Sequence, residues 1–173
     1  MEMPAVPTTE QVWIWLSEIQ DPEIPAISIT DLGIVRDVAW SGVGDGAECV
    51  VTITPTYSGC PATAVIAQSI TETLRDRGLA KVTLKTQISP AWTTDWLSEA
   101  GKLKLKNYGI APPVGQVIKI SAIGRGPRPD PDIACPRCGS KKTELTSQFG
   151  STPCKALYRC RDCLEPFDYF KCH

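Results

Sequence analysis

The 173-residue chain holds a single histidine, and it is the final residue, His173. One imidazole at a chain end removes most ways to build a Ser-His-Asp, Cys-His or multi-histidine metal centre, and catalysis by any of these is disfavoured. Charge of one sign is lacking too. The formal net charge is −1, with 18 basic and 19 acidic side chains, so bulk electrostatics draws the chain neither to nucleic acid nor to an anionic membrane. No apolar run approaches the roughly 20 residues of a membrane span. Met1-Glu2-Met3-Pro4 offers neither the basic nor the apolar region of a secretory signal, so the expected location is cytoplasmic. A Gly-x-Gly-x-x-Gly dinucleotide loop is also missing.

What the chain has instead is cysteine: eight, of which six fall within residues 132–173. In a reducing compartment, Cys-x-x-Cys spacing points to metal or redox chemistry, not to a disulfide framework. Cys135-Pro136-Arg137-Cys138 and Cys160-Arg161-Asp162-Cys163 are two such pairs, with 21 residues between them. A two-residue gap lets a tight turn aim both sulfurs at one ion, and two pairs complete a tetrahedron suited to Zn2+. Iron, or an iron–sulfur cluster, could use the same four thiolates. A segment this short needs such a staple, because its core is too small to hold it folded. One structural zinc per chain, held by Cys135, Cys138, Cys160 and Cys163, is the reading.

The other ribbon cysteines are less specific. Cys154, Cys172 and His173 could form a second site, but without paired spacing the plainer reading is a buried thiol and a packed tail. Phe149, Leu157, Tyr158, Phe167, Tyr169 and Phe170 are read as the ribbon's apolar surface, which could also dock a partner. Nucleic-acid binding is disfavoured, since seven cations in 132–173 face five acids. A stand-alone Cys-x-x-Cys oxidoreductase is disfavoured because neither pair opens a βα unit.

Upstream, the pattern predicts a helix over 9–20. A Thr8/Gln11 capping box starts it, Val12, Trp15, Leu16 and Ile19 line one face, and Asp21-Pro22-Glu23-Ile24-Pro25 stops it. Residues 34–40 and 47–54 read as a hairpin, the second strand with one buried face. A long helix follows, with Pro61 at its first position and Gly78 just past its end. Residues 81–88 alternate as a strand. A weaker helix spans 94–107, interrupted by Gly101 and stopped at Gly109, and 117–123 reads as a short strand. The fold class is therefore α+β: a small α/β sandwich domain over 1–123, a Gly/Pro-rich linker at 124–131, and a C-terminal zinc ribbon over 132–173.

Outside the ribbon, Cys60 stands where a strand gives way to a helix. A helix N-cap stabilises a thiolate, which could act as a nucleophile or as a labile ligand for iron. Equally, cysteine is often a small buried hydrophobe. Cys49, inside a strand, reads as core. Asp21 and Glu23 could approach Cys60 from their proline-pinned loop, although helix-ending acids are the plainer account. Lys102, Lys104 and Lys106 read as a solvated helix face.

Longer motifs carry a resemblance. Asp21-Pro22-Glu23-Ile24-Pro25, the run Ile29 to Asp37, and Thr54-Pro55-Thr56-Tyr57-Ser58-Gly59-Cys60-Pro61 resemble the small α+β domain of SufT-like iron–sulfur maturation factors. With the run Ser89 to Trp96, Tyr108-Gly109-Ile110-Ala111-Pro112-Pro113, and the ending Glu165 to His173, nearly the whole chain resembles the PaaD-type accessory proteins of bacterial phenylacetyl-CoA epoxidase systems. Those systems pair a di-iron oxygenase with a flavin and 2Fe–2S reductase, and the PaaD-type member is an accessory with no epoxidation chemistry. The resemblance implies protein partners among the reductase and oxygenase subunits, with no nucleic acid and no membrane. A homo-oligomer is left open. It implies that Cys60 is the reactive cysteine, handling a transient iron–sulfur cluster bound for the reductase, with Asp21 and Glu23 carried over beside it. A purely structural scaffold subunit is the alternative. One histidine cannot supply the paired Glu-x-x-His motifs of a di-iron centre.

Overall fold

The computed structural model describes residues 6–42, 46–114 and 132–171, and among these the chain folds as two compact units that divide between Gly101 and Lys102. The architecture is α+β, a sandwich domain followed by a ribbon.

In the first unit, helix α1 runs Thr9–Ser17. Its capping box forms in both directions: Thr8 Oγ1 accepts from the Gln11 N–H at 3.3 Å, and Gln11 Oε1 accepts from the Thr8 N–H at 3.0 Å. Of the expected stripe, Val12, Leu16 and Ile19 are buried and Trp15 is half-buried. The helix stops at Ser17 rather than at residue 20 because Gln20 pairs as a β-bridge with Ser28 across the proline loop.

Strands β1 (Val35–Ser41) and β2 (Glu48–Ile53) form the antiparallel hairpin, with Trp40 opposite Cys49 and Val38 opposite Val51. Helix α2 (Ala62–Asp76) then returns the chain to β3 (Val82–Thr86), which pairs parallel with β2. The sheet order β1-β2-β3 leaves β2 in the centre. That position corrects the one-faced reading of β2: Cys49, Val50, Val51 and Ile53 are all buried, and so is Thr54 just after it. Burial pushes the Cys49 thiol up. By contrast β3, with the clearest alternation in sequence, is an edge strand with no fully buried residue.

Helix α1 packs on β1 and on α2, and α2 packs on β3, so the two helices cover the sheet side by side. Ala62, Ile66, Ile70 and Leu74 form the buried ridge of α2, with the two isoleucines and the leucine each worth about 1.5–3 kcal/mol of transfer energy, whereas Val65 from the expected face is 50% exposed. Past Arg77 the chain closes a Schellman motif. The Gly78 N–H donates to Arg75 O at 2.9 Å and the Leu79 N–H to Leu74 O at 3.1 Å.

The helix expected over 94–107 is two pieces: a 3-10 turn at Thr94–Trp96 and helix α3 at Glu99–Tyr108. Ser98 starts the second piece, its Oγ accepting from the Gly101 N–H at 2.8 Å. Gly101 is thus no interruption. It lies in the first turn, where a Cβ would press on Ile27 Cδ1 at 3.0 Å and Asp31 O at 3.1 Å.

The second unit is built on β4 (Ile110–Ala111), β5 (Thr143–Ser147), β6 (Lys155–Cys160) and β7 (Pro166–Phe170), in the order β4-β7-β6-β5. The sequence places the domain division at 124–131, yet Ile110 and Ala111 pair in parallel with Asp168 and Tyr169 of β7. The reason is an edge: without β4, the open side of β7 would present unpaired backbone groups. The expected strand at 117–123, the linker at 124–131, and Cys172 and His173 lie outside the described residues. The ribbon aromatics also differ from expectation. Tyr158, Phe167, Tyr169 and Phe170 are buried, the first three forming a core with Ala111, Ile133, Cys135, Ala156 and Cys160, while Phe149 is 66% exposed. Cys154 is buried, with its Sγ 3.0 Å from Thr152 Oγ1, in keeping with the plainer reading of that residue.

Candidate metal centre and the Cys60 loop

Two loops of the ribbon are built alike. In each, the N–H of the first cysteine donates to the carbonyl five residues on: Cys135 to Ser140 O at 2.9 Å, and Cys160 to Glu165 O at 3.0 Å. Each closes on a residue with positive φ directly after the second cysteine, Gly139 at 76° and Leu164 at 65°. Ser140 Oγ donates to Asp162 Oδ2 at 2.6 Å and ties one loop to the other. Together the loops bring the sulfurs of Cys135, Cys138, Cys160 and Cys163 within 4.8 Å of one another. Cys135 and Cys160 are buried, whereas Cys138 and Cys163 face solvent.

The spacing decides what the four thiols can do. Cys135 Sγ lies 3.8 Å from Cys163 Sγ, and Cys138 Sγ lies 3.5 Å from Cys160 Sγ. A disulfide needs about 2.05 Å. A tetrahedron with metal–sulfur bonds of about 2.3 Å has edges of roughly 3.8 Å, so the donor set fits one ion. A cluster in which each thiolate held a different iron would spread the sulfurs wider than one such edge. Electrostatics makes the same demand. The Cys163 N–H, at 3.5 Å from Cys160 Sγ, is the foremost cause that lowers the Cys160 thiol to about 7. Cys163 behaves oppositely. The Glu165 backbone draws it down, but desolvation and the hydrogen bonds of its three neighbouring thiols outweigh this and push it up to about 12. Four sulfurs this close cannot all carry charge without a cation among them. The four thiols are therefore a donor set that fits one metal ion.

In the first unit, three loops gather at one end of the sheet: 28–34 entering β1, 54–61 leaving β2, and 87–98 leaving β3. Backbone bonds join their roots, the Thr54 N–H to Ile34 O and the Gln87 N–H to Ile53 O, both at 2.8 Å. In open sheets the carboxyl ends of parallel strands are where sites form. Cys60 sits on the middle loop, half-buried, with its N–H on Tyr57 O at 3.2 Å and its carbonyl accepting from the Thr63 N–H at 3.1 Å. Pro61 is the N-cap of α2, not its first helical residue, so Cys60 stands one residue ahead of the cap.

The structure gives Asp21 a loop-forming place. It is 6% exposed, and its Oδ1 accepts from the Glu23 N–H at 2.9 Å and the Ile24 N–H at 2.8 Å. Glu23 is half-buried.

A clasp that the sequence did not reveal holds the loop 28–34. Trp92 Nε1 donates to Leu32 O at 2.8 Å, Ser98 Oγ to Asp31 Oδ1 at 2.6 Å, and the Ser98 N–H to Asp31 O at 2.9 Å. The Arg36 guanidinium lies 3.5 Å from the centroid of the Trp96 ring. Gly33 has φ 67°, and a Cβ there would sit 2.5 Å from Trp96 O, so only glycine fits. Thr54 heads the motif that ends at Pro61, but nothing local marks it as buried. It is 1% exposed, and its hydroxyl finds no partner among the described residues.

Comparison with known proteins agrees with both regions. Residues 9–83 match the model of the iron-sulfur cluster assembly protein family, and 123–171 that of the PaaD zinc beta ribbon domain. An Escherichia coli protein, named as the putative D component of 1,2-phenylacetyl-CoA epoxidase, is 49% identical over 168 residues, covering 97% of this chain and 95% of that one. The chain belongs to the PaaD family. A Bacillus subtilis protein named Fe-S protein maturation auxiliary factor is 31% identical over 91 residues, 52% of this PaaD chain and 85% of its own. A solved domain of unknown function from Bacillus anthracis is similar at 24% identity and TM-score 0.49, covering 56% of this chain and 89% of that one. Among the described residues of this PaaD member, no helix is long and apolar enough to cross a membrane.

Proposed function

We propose that this chain is an accessory subunit of a phenylacetyl-CoA epoxidase system that assists iron–sulfur cluster assembly or insertion into the reductase subunit. The observation that carries it is the union in one chain of an iron–sulfur assembly domain, residues 9–83, with a PaaD ribbon. Cys60 is the residue assigned to the cluster. It is half-buried and lies on the middle of three loops at the carboxyl end of β2 and β3, with the outer loop 28–34 clasped from 89–98. A half-buried thiol on a loop can lend its sulfur to iron and surrender it to the cysteines of a recipient. The cluster is cargo in this reading. Asp21 supports the proline loop that follows it, through Glu23 and Ile24, rather than the iron, and Glu23 is assigned no separate role.

In the ribbon, Cys135, Cys138, Cys160 and Cys163 hold one zinc per chain, which folds the unit and does no chemistry. The four-thiolate set and the tetrahedral edge suit zinc, which has no redox state to confuse with the cargo. In this reading the protein partners are the reductase subunit, the oxygenase subunits or both, and the work is cytoplasmic.

Co-expression tests the reading. With wild-type chain the reductase should purify with its cluster sites filled. With Cys60→Ser the occupancy should fall several-fold, while the zinc content of the accessory chain stays at about one. Equal occupancy with both chains would remove Cys60 from the mechanism and leave a scaffold subunit.

A further inference from the structure

The sheet of the first unit ends in two edges, and they are not alike. On β1 the pairing slips between Val35 and Asp37, an irregularity of the kind that discourages a further strand. On β3 the register is unbroken from Val82 to Thr86. Two bonds that bracket the β2–β3 ladder fix which way each β3 residue faces. The Cys49 N–H donates to Lys81 O at 3.0 Å, and the Gln87 N–H to Ile53 O at 2.8 Å. Backbone direction alternates along a strand, so Thr83 and Lys85 turn their N–H and C=O groups to β2. Val82, Leu84 and Thr86 turn theirs to the open side, where no bond reaches them among the described residues.

Charge selects what can pair there. The side chains of Glu48 and Thr83 are hydrogen-bonded to each other, and Lys85 projects from the same face of the sheet. Among the described residues Glu48 meets no cation, and the exposed Lys85 meets no carboxylate. An antiparallel copy of β3 with Leu84 opposite Leu84 answers both. Leu84 then exchanges two backbone bonds with its counterpart, and Thr83 stands opposite Lys85 as a non-hydrogen-bonded pair, where side chains come closest. Each lysine lies against the Thr83–Glu48 pair of the other copy. Sliding the register by two residues sets Lys85 opposite either Lys85 or Lys81, and like charges directly opposite are destabilising. Helix α2 does not obstruct this pairing. Ser69 and Thr73 face the end of α1, and the flank away from it carries Thr63, Ala67 and Thr71, all small enough for two helices to pack at about 8–10 Å.

We propose that a second copy of this chain occupies the β3 edge, the two β3 strands pairing antiparallel about a two-fold axis at Leu84 so that two sheets become one. The pairing needs neither the metal centre nor Cys60.

The test uses the full-length chain, in sedimentation equilibrium over a concentration series and in residue-resolved amide exchange. Wild type should dimerise as concentration rises. Exchange should slow with it at Val82, Leu84 and Thr86 and stay constant at Thr83 and Lys85, which β2 already holds. Lys85→Glu should weaken dimerisation about tenfold, because each dimer holds the contact twice. Glu48→Lys should weaken it to a similar extent, and Glu48→Lys combined with Lys85→Glu should restore it. A merely local defect in the sheet would lower the unfolding midpoint of the single variants without that restoration. A chain that stays monomeric at every concentration overturns the proposal. So does a dimer indifferent to both charge reversals, which would use another surface, or a double variant no tighter than the single ones. Protection that rises equally at odd and even positions of β3 would count against it in the same way. Cys60→Ser should leave dimerisation unchanged, so this pairing and the cluster role can fail separately.

Discussion

The two cysteine-bearing regions of this chain solve opposite problems. The ribbon's four thiols are bound up with its interior: Cys135 and Cys160, two of the proposed ligands, are core residues packed with Ile133, Tyr158 and Phe167. The domain around Cys60 has a core of its own, built from Val12, Leu16, Ile53, Ile70 and Leu74, and Cys60 is not part of it. A thiol that the fold requires is committed to one ion. A thiol that the fold can spare is free to bind and release. The difference teaches that spacing marks the first kind and placement marks the second.

The comparison breaks most visibly at the metal. Cys160→Ser should take the bound metal from about one per chain to near zero and unfold the ribbon, whereas Cys60→Ser should change neither. Elemental analysis with near-UV circular dichroism reads both. Ribbon loss in Cys60→Ser, or a folded ribbon without metal, would erase the distinction. A chelator should act more strongly as pH falls, because the ligands bind as thiolates and protons compete for them.

A smaller effect separates the two regions from the other side. Trp92→Ala removes a side chain that is 4% exposed and its bond to Leu32 O, and should destabilise the first unit by about 3–5 kcal/mol in denaturant unfolding. Metal content of the ribbon should not change. If the clasp matters to the cluster role, reductase occupancy should fall with it even where the protein stays folded.

The smallest expected effect tests the frame alone. Thr8→Ala removes the hydroxyl half of the capping box and should cost about 1 kcal/mol, with metal content and partner binding unaltered. A loss of metal in that variant would mean that the two units do not behave independently.

Much of this was legible in the sequence because it is local. The Thr8–Gln11 box, the hairpin, the stop after α2 and the paired cysteines each depend on residues a few positions apart. Where reading failed, the deciding contact was distant. Alternation in Val82–Thr86 was strong, yet β3 lies at an edge, and the half-polar β2 lies at the centre. Gly101 looked like a flaw in a helix until Ile27 and Asp31 were seen to press against it. Trp92 and Ser98 carried no mark of their partners, which lie about sixty residues earlier in Leu32 and Asp31. Cys60 was legible as a residue standing apart, but its company was not.

That Cys135, Cys138, Cys160 and Cys163 come together as two matching turns follows from the sequence, since a Cys-x-x-Cys turn forms its geometry from its own backbone. Only the tertiary structure decided that Ile110 and Ala111 belong to the ribbon, that three loops meet beside Cys60, and that one leucine is held in a glycine's conformation. These are set by strand pairing and by contacts between residues far apart in the chain, where no spacing rule reaches.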